Sequence, residues 1–164
     1  VIADPTYFPD KVKKTGKVAR CICILKHPLR DTSNATSCQI IIPQNQVGRK
    51  SDIYVCCVSS PHHVTPNPFY VAMVSTTVET DNPEAELKPG LDILAPIEDK
   101  FLSVDDVYVP TDDGSASKVF LTTSYDATTH FETTCQDIMA LYKRCTGEDI
   151  DFSQVQKDLE SVEQ

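Results

Sequence analysis

Short apolar runs alternate with polar breaks along this chain, and prolines mark most of the breaks. Val18-Ala-Arg-Cys-Ile-Cys-Ile-Leu25 is aliphatic and β-rich and predicts a strand. His27-Pro28 ends it, because proline brings no amide to a central ladder. Cys38–Ile42, closed by Pro43, predicts a second strand, Ile53–Val58 a third and Phe69–Val78 a fourth. Pro61, Pro66 and Pro68 forbid regular structure between the last two. Residues 4–16 hold Pro5, Pro9 and Gly16 and read as a loop. Four strands with no helix between them favour an antiparallel meander.

After residue 80 the period changes from two to nearly four. Asn82 is a good N-cap, and Pro83 suits the first helical position. Glu84 and Glu86 fall near the positive helix end, and Leu87, Leu91 and Leu94 repeat at helical spacing. Pro89 is expected to kink or split this helix. Phe101–Val109 predicts a strand, Asp113-Gly114 a turn, and Lys118–Ser124 another strand. Thr129-His-Phe-Glu132 reads as a capping box, in which hydroxyl and carboxylate satisfy amides of the first turn. Phe131, Cys135, Ile138, Tyr142 and Cys145 then form one apolar helix face, stopped at Gly147. Residues 148–164 are acidic, with Val155, Leu159 and Val162 at helical spacing and a weaker capping box at Ser153 and Gln156. They read as a short docked helix or a frayed tail. The fold class is α+β or α/β, mostly antiparallel strands with two main helices. Residues 1–147 form the structured unit and 148–164 an acidic tail.

The chain has 164 residues, 40% hydrophobic and 24% charged, which suits one globular domain rather than a disordered chain or a coiled coil. Its apolar runs are strand-length, too short for a membrane-spanning helix. Val1-Ile-Ala-Asp4 reads like the end of a strand begun upstream, so a piece of a longer protein is expected. Residues 1–50 carry nine Lys/Arg against three Asp/Glu, and residues 51–164 six against twenty-one. That acidic bulk argues against nucleic acid as a partner. Lys11, Lys13, Lys14, Lys17 and Arg20 could draw an anionic surface, but a charge run is more often a solvated face. Seven cysteines cannot all pair with one another. Cys21-x-Cys23 suits one face of a strand and lacks the spacing of a zinc knuckle, and His62 and His63 point apart on an extended chain. Free thiols, no metal and a reducing compartment are expected.

The chain offers no constellation for catalysis. It has five glycines and no phosphate loop, no nucleophile elbow and no His-Glu-x-x-His. Asp105-Asp106 and Asp112-Asp113 are adjacent pairs, not facing carboxylates. Tyr125-Asp-Ala-Thr-Thr-His130 joins a strand to a capped helix. Its helix end is a place for an anion and His130 is a candidate base, yet caps and turns account for the same residue types. No enzyme and no cofactor are therefore expected.

Several long stretches resemble the Rab GDP dissociation inhibitors. They are Asp4-Pro-Thr-Tyr-Phe-Pro-Asp-Lys-Val12, Cys38-Gln-Ile-Ile-Ile-Pro-Gln-Asn-Gln-Val47, Arg49-Lys-Ser-Asp-Ile-Tyr-Val55, Ser75-Thr-Thr-Val-Glu-Thr80 and Ser124-Tyr-Asp-Ala-Thr-Thr-His-Phe-Glu-Thr-Thr134. The resemblance runs from Val1 to about Gly147 and fades in the tail. It implies the C-terminal part of a large, flavoprotein-like multi-sheet domain without a working flavin site. It also implies a cytoplasmic carrier, in transient contact with membranes. Such a carrier binds prenylated, GDP-bound Rab GTPases, slows GDP release and shields the geranylgeranyl lipid during vesicle traffic. The family's prenyl groove and main Rab-binding surface lie in segments with no match here, so no partner-binding residue is assigned. A Rab escort protein, which presents Rabs to the prenyltransferase, and a fold-related flavin oxidoreductase are the alternatives. The long insertions of escort proteins are not visible, and the nucleotide-binding glycines of a flavin enzyme would lie upstream.

Overall fold

A computed structural model describes residues 1–128 and 131–153. Its elements in chain order are β1 (Ile2–Ala3), β2 (Val12–Leu25), β3 (Ser37–Ile42), β4 (Ile53–Ser59), β5 (Tyr70–Thr77), α1 (Pro83–Leu94), β6 (Asp99–Pro110), β7 (Phe120–Leu121) and α2 (Glu132–Thr146). The chain divides into two compact units. One holds Val1–Lys13, Val109–Ser124 and the chain from Glu132, and the other Lys14–Tyr108 with Tyr125–Phe131.

The second unit is built on a five-stranded sheet in the order β3-β4-β5-β2-β6. Both hairpins of β3, β4 and β5 are antiparallel, and β2 pairs antiparallel with β5 from Val18↔Thr77 to Leu25↔Tyr70. The expected meander is therefore corrected. The first strand lies beside the fourth, not the second, which is a Greek-key order. A meander and a Greek key have the same local sequence signals, since only the long β2–β3 connection distinguishes them. The loop expected over residues 4–16 is also shorter, because β2 starts at Val12. Its partner explains the extension: Thr15 Oγ1 donates to Val107 O at 3.2 Å and Glu98 N to Ile24 O at 2.9 Å, the sense of an antiparallel neighbour.

Alternate residues of the strands form one apolar face. Cys21, Cys23 and Leu25 of β2 align with Val74 and Ala72 of β5 and with Ile53, Val55 and Cys57 of β4, all buried. Helix α1 lies on this face, packing on β4 and β5 through Leu87, Gly90 and Leu94. Gly90 is required there. A Cβ would fall inside the envelope of Val74 Cγ1 and 3.3 Å from the Cγ2 atoms of Ile53 and Val55. Pro89 sits inside α1 without splitting it. The one missing amide bond is outweighed by the packing of Leu87 and Leu94, each fully buried.

In the first unit, β1 and β7 form a two-residue parallel pair, Ile2↔Phe120 and Ala3↔Leu121. The strand expected over Lys118–Ser124 thus shrinks to Phe120–Leu121, as only those residues find a ladder partner. Gly114, at φ +82°, makes the preceding turn, where a Cβ would run into Val119. Helix α2 packs on β7. The expected apolar face of α2 is not the one it buries. Leu141 is its buried residue, whereas Ile138 and Tyr142 are 51% and 41% exposed and Cys135 is exposed. Polar anchors set the rotation: Arg144 donates to Leu121 O at 3.1 Å, and Asp137 accepts from Thr123 N at 3.0 Å.

Candidate functional site

The most constrained polar cluster of the described residues gathers three segments of the sheet unit. Arg49 comes from the polar loop after β3, Glu79 and Thr80 follow β5, and Glu86 stands in the first turn of α1. Arg49 donates to Glu86 Oε2 at 2.7 Å and to Thr77 O at 2.8 Å, with Glu79 Oε1 at 3.5 Å. Glu86 is buried and also accepts from Thr80 N and Thr80 Oγ1, both at 2.7 Å, and from Glu79 N at 3.0 Å. Lys50 N donates to both carboxylate oxygens of Glu79. Burial pushes the Glu86 carboxyl up, but the bonds from Thr80, Arg49 and the two amides outweigh it and hold the group below its ordinary value. Such a pair is no large stabiliser against an apolar replacement, yet breaking it strands a buried charge. Its chemistry is that of a clasp, which fixes where α1 begins relative to β4 and β5.

The spacing of the sequence did not single out this pair, though part of the signal was present. Glu86 is four residues before Gly90 and adjacent to Leu87, so it shares the inward stripe of α1. An acidic residue on that stripe needs a buried partner.

The basic run of Lys11 and β2 meets the paired aspartates. Lys14 pairs with Asp106 at 2.7 Å and Arg20 with Asp105 at 3.6 Å in the sheet unit, and Lys11 with Asp112 at 3.5 Å in the other. Asp105, Asp106 and Asp112 are thus committed to cations, Asp112 also accepts from Gly114 N, and Asp113 accepts from Ser115 N. A shallow groove of about 500 Å³ beside the run is lined by Lys14 and Lys17 but equally by Glu79 and Asp81, so it favours neither sign of ligand.

Tyr125–Thr128 is held by structural bonds. Asp126 Oδ1 accepts from Thr128 N at 2.9 Å and Thr128 Oγ1 at 2.6 Å, Ser75 Oγ donates to Ala127 O at 2.6 Å, and Arg20 reaches the carbonyls of Tyr125 and Asp126. Thr129 and His130, the capping hydroxyl and the candidate base, lie outside the described residues, as does the tail after Ser153. Glu132 is the first residue of α2. At α1, Asn82 Oδ1 accepts from Ala85 N at 3.2 Å and Pro83 is the first helical residue.

All seven cysteines are free. Cys21 and Cys23 share one face, with sulfurs 3.8 Å apart. Burial, reinforced by Cys21, pushes the Cys23 thiol up to about 12, and burial with Cys38 and Cys56 does the same for Cys57. Neutral, inaccessible thiols of this kind serve as core filling.

A family profile described as GDP dissociation inhibitor matches residues 1–157. The chain is 56% identical over 157 residues to Rab GDP dissociation inhibitor beta of rat, and equally to that of dog. Each alignment covers 96% of this chain and 35% of the relative. A crystal structure of Rab GDI from Plasmodium falciparum superposes with a TM-score of 0.89 at 48% identity, covering 93% of this chain and 35% of that one. The chain therefore spans about a third of the length of its relatives. The matched stretch takes in both described units, from β1 through α2, and the chain belongs to the GDP dissociation inhibitor family.

Proposed function

We propose that this chain works as part of a Rab GDP dissociation inhibitor, a binding protein and not an enzyme. In that role it helps hold prenylated Rab GTPases in their GDP form, slow GDP release, and draw them from membranes into the cytoplasm. Its identity of 56% over 157 residues to the rat inhibitor carries the reading. The physical task is to keep a geranylgeranyl chain from water, where each CH₂ costs about 0.8 kcal/mol. The described sheet packs its apolar core tightly against α1, which suits a scaffold. The lipid groove and the main Rab contacts then fall to the rest of a larger, flavoprotein-like fold.

The test is extraction of prenylated, GDP-loaded Rab from vesicles. One sample is this chain alone. The other is rat Rab GDP dissociation inhibitor beta with its matching third replaced by this chain. The chimera should extract Rab and the chain alone should not. A folded chimera that fails where the rat protein succeeds refutes the functional reading. A chain that extracts Rab by itself refutes the division of labour.

A further inference from the structure

His27 follows the end of β2 and holds its ring between two backbone carbonyls. Its Nδ1 lies 2.8 Å from Pro28 O and its Nε2 2.9 Å from Pro96 O. A carbonyl oxygen only accepts, so both ring nitrogens must donate for both bonds to exist. A neutral imidazole carries one N–H and satisfies one of them, whereas the imidazolium carries two and satisfies both. The two contacts differ in kind. The bond to Pro28 O is local and partly buried. The bond to Pro96 O is exposed and ties the end of β2 to the connection between α1 and β6. Two further links lie beside it: Glu98 N donates to Ile24 O at 2.9 Å, and Lys26 pairs with Glu98 at 2.9 Å. Lys26, Arg30 and Asp31 are the charged residues flanking the ring on its own side, and Glu98 and Asp99 on the side of β6. On β5, Tyr70 is the partner of Leu25. Lys26 and Glu98 are committed to each other, and the ring's own bonds go to the two carbonyls.

We propose that His27 is a proton-dependent tether, which closes the end of β2 onto the exit of α1 as an imidazolium and lets go of Pro96 as a neutral ring. The neutral ring keeps one N–H. The partly buried bond to Pro28 O is the costlier one to leave open, since water can take over at the exposed Pro96 O. Proton binding therefore favours the closed tether. Its contribution is complete in acid and fades as pH rises through the range in which His27 titrates. The stretch it governs is the start of β6, an edge strand of the sheet that is exposed from Asp99 to Asp105. The inference rests on neither family membership nor the Rab reading.

Nitrogen NMR of this chain with ring-labelled histidine reads the state of each nitrogen. At about pH 5.5 both nitrogens of His27 should carry protons, and above about pH 8 the remaining proton should sit on Nδ1. In addition, His27→Gln keeps a donor but has no group to titrate. Its unfolding constant in urea should exceed the parent's by at least about tenfold at about pH 5.5, and that ratio should shrink at least about fivefold by about pH 8.5. The other histidines are the same in both proteins and cancel in the ratio. A ratio that does not change with pH overturns the proposal. So does a folded ring with a single proton at about pH 5.5, or a neutral ring whose proton sits on Nε2. If the chain alone does not stay folded, both measurements are made on the chimera described above, and the same outcomes decide. No step uses Rab, so this result and the extraction assay fail independently.

Discussion

Replacing Gly90 by Ala sets two opposing effects against each other. In a helix interior alanine is favoured over glycine by about 1 kcal/mol. Here, however, the new methyl enters the space of Val74 Cγ1 and lies 3.3 Å from Ile53 and Val55. All three residues are fully buried strand positions, which cannot swing into solvent. Helix α1 must then back away, loosening Leu87 and Leu94 as well, and such overpacking typically costs about 1–3 kcal/mol. The clash should win, for a net loss of about 1 kcal/mol. Urea unfolding followed by circular dichroism measures it. Val74→Ala alone should cost about 2 kcal/mol, from lost burial and the cavity left behind. In the double variant the two changes should compensate, so that the pair costs at least about 1 kcal/mol less than the sum. If Gly90→Ala is as stable as the parent or more so, and the double variant is additive, the close helix–sheet approach is wrong.

Glu86→Ala should cost about 3 kcal/mol, because it leaves Arg49 with only the more distant carboxylate of Glu79 and strands the amides of Glu79 and Thr80 that donate to Glu86. The folded carboxyl of Glu86 lies below its ordinary 4.5, so its contribution is complete above that pH and fades as pH falls through the folded value. Glu86→Gln should accordingly flatten the acid limb of a stability–pH profile below about 4.5, and an unchanged limb would refute the assignment. With a thiol reagent at pH 8, the exposed Cys135 should react at once and Cys23 and Cys57 on unfolding only, which peptide mass mapping would read. Asn82→Ala removes the acceptor for Ala85 N and should cost about 1 kcal/mol in thermal unfolding, with Asn82→Asp losing much less.

The four long strands and α1 were legible because each carries its own period, and Asn82-Pro83 marks where the helix starts. What the sequence left out depended on distant partners. Lys13, Thr15 and Gly16 look like loop residues and become strand through β6, a segment about ninety residues away. Phe120-Leu121 is cut to two residues because β1 offers two. The rotation of α2 was misjudged because Asp137 and Arg144, polar on any hydropathy count, hold it to β7 more firmly than its apolar stripe does. At the clasp, Arg49 and Glu86 lie in different elements, and their meeting is set by how β5 turns into α1.

The pairing of Ile2 with Phe120 has a consequence for synthesis. The chain leaves the first unit at Lys13 and returns at Val109, so all five strands of the sheet are made between β1 and β7. A ribosome must therefore make the whole sheet before β1 can meet its partner, a wait of roughly ten seconds at ordinary elongation rates. The hairpins β3-β4-β5 can close early in that interval from neighbouring residues, but β1 cannot. Its apolar residues stay open to chaperones, or to a wrong edge, until β7 emerges.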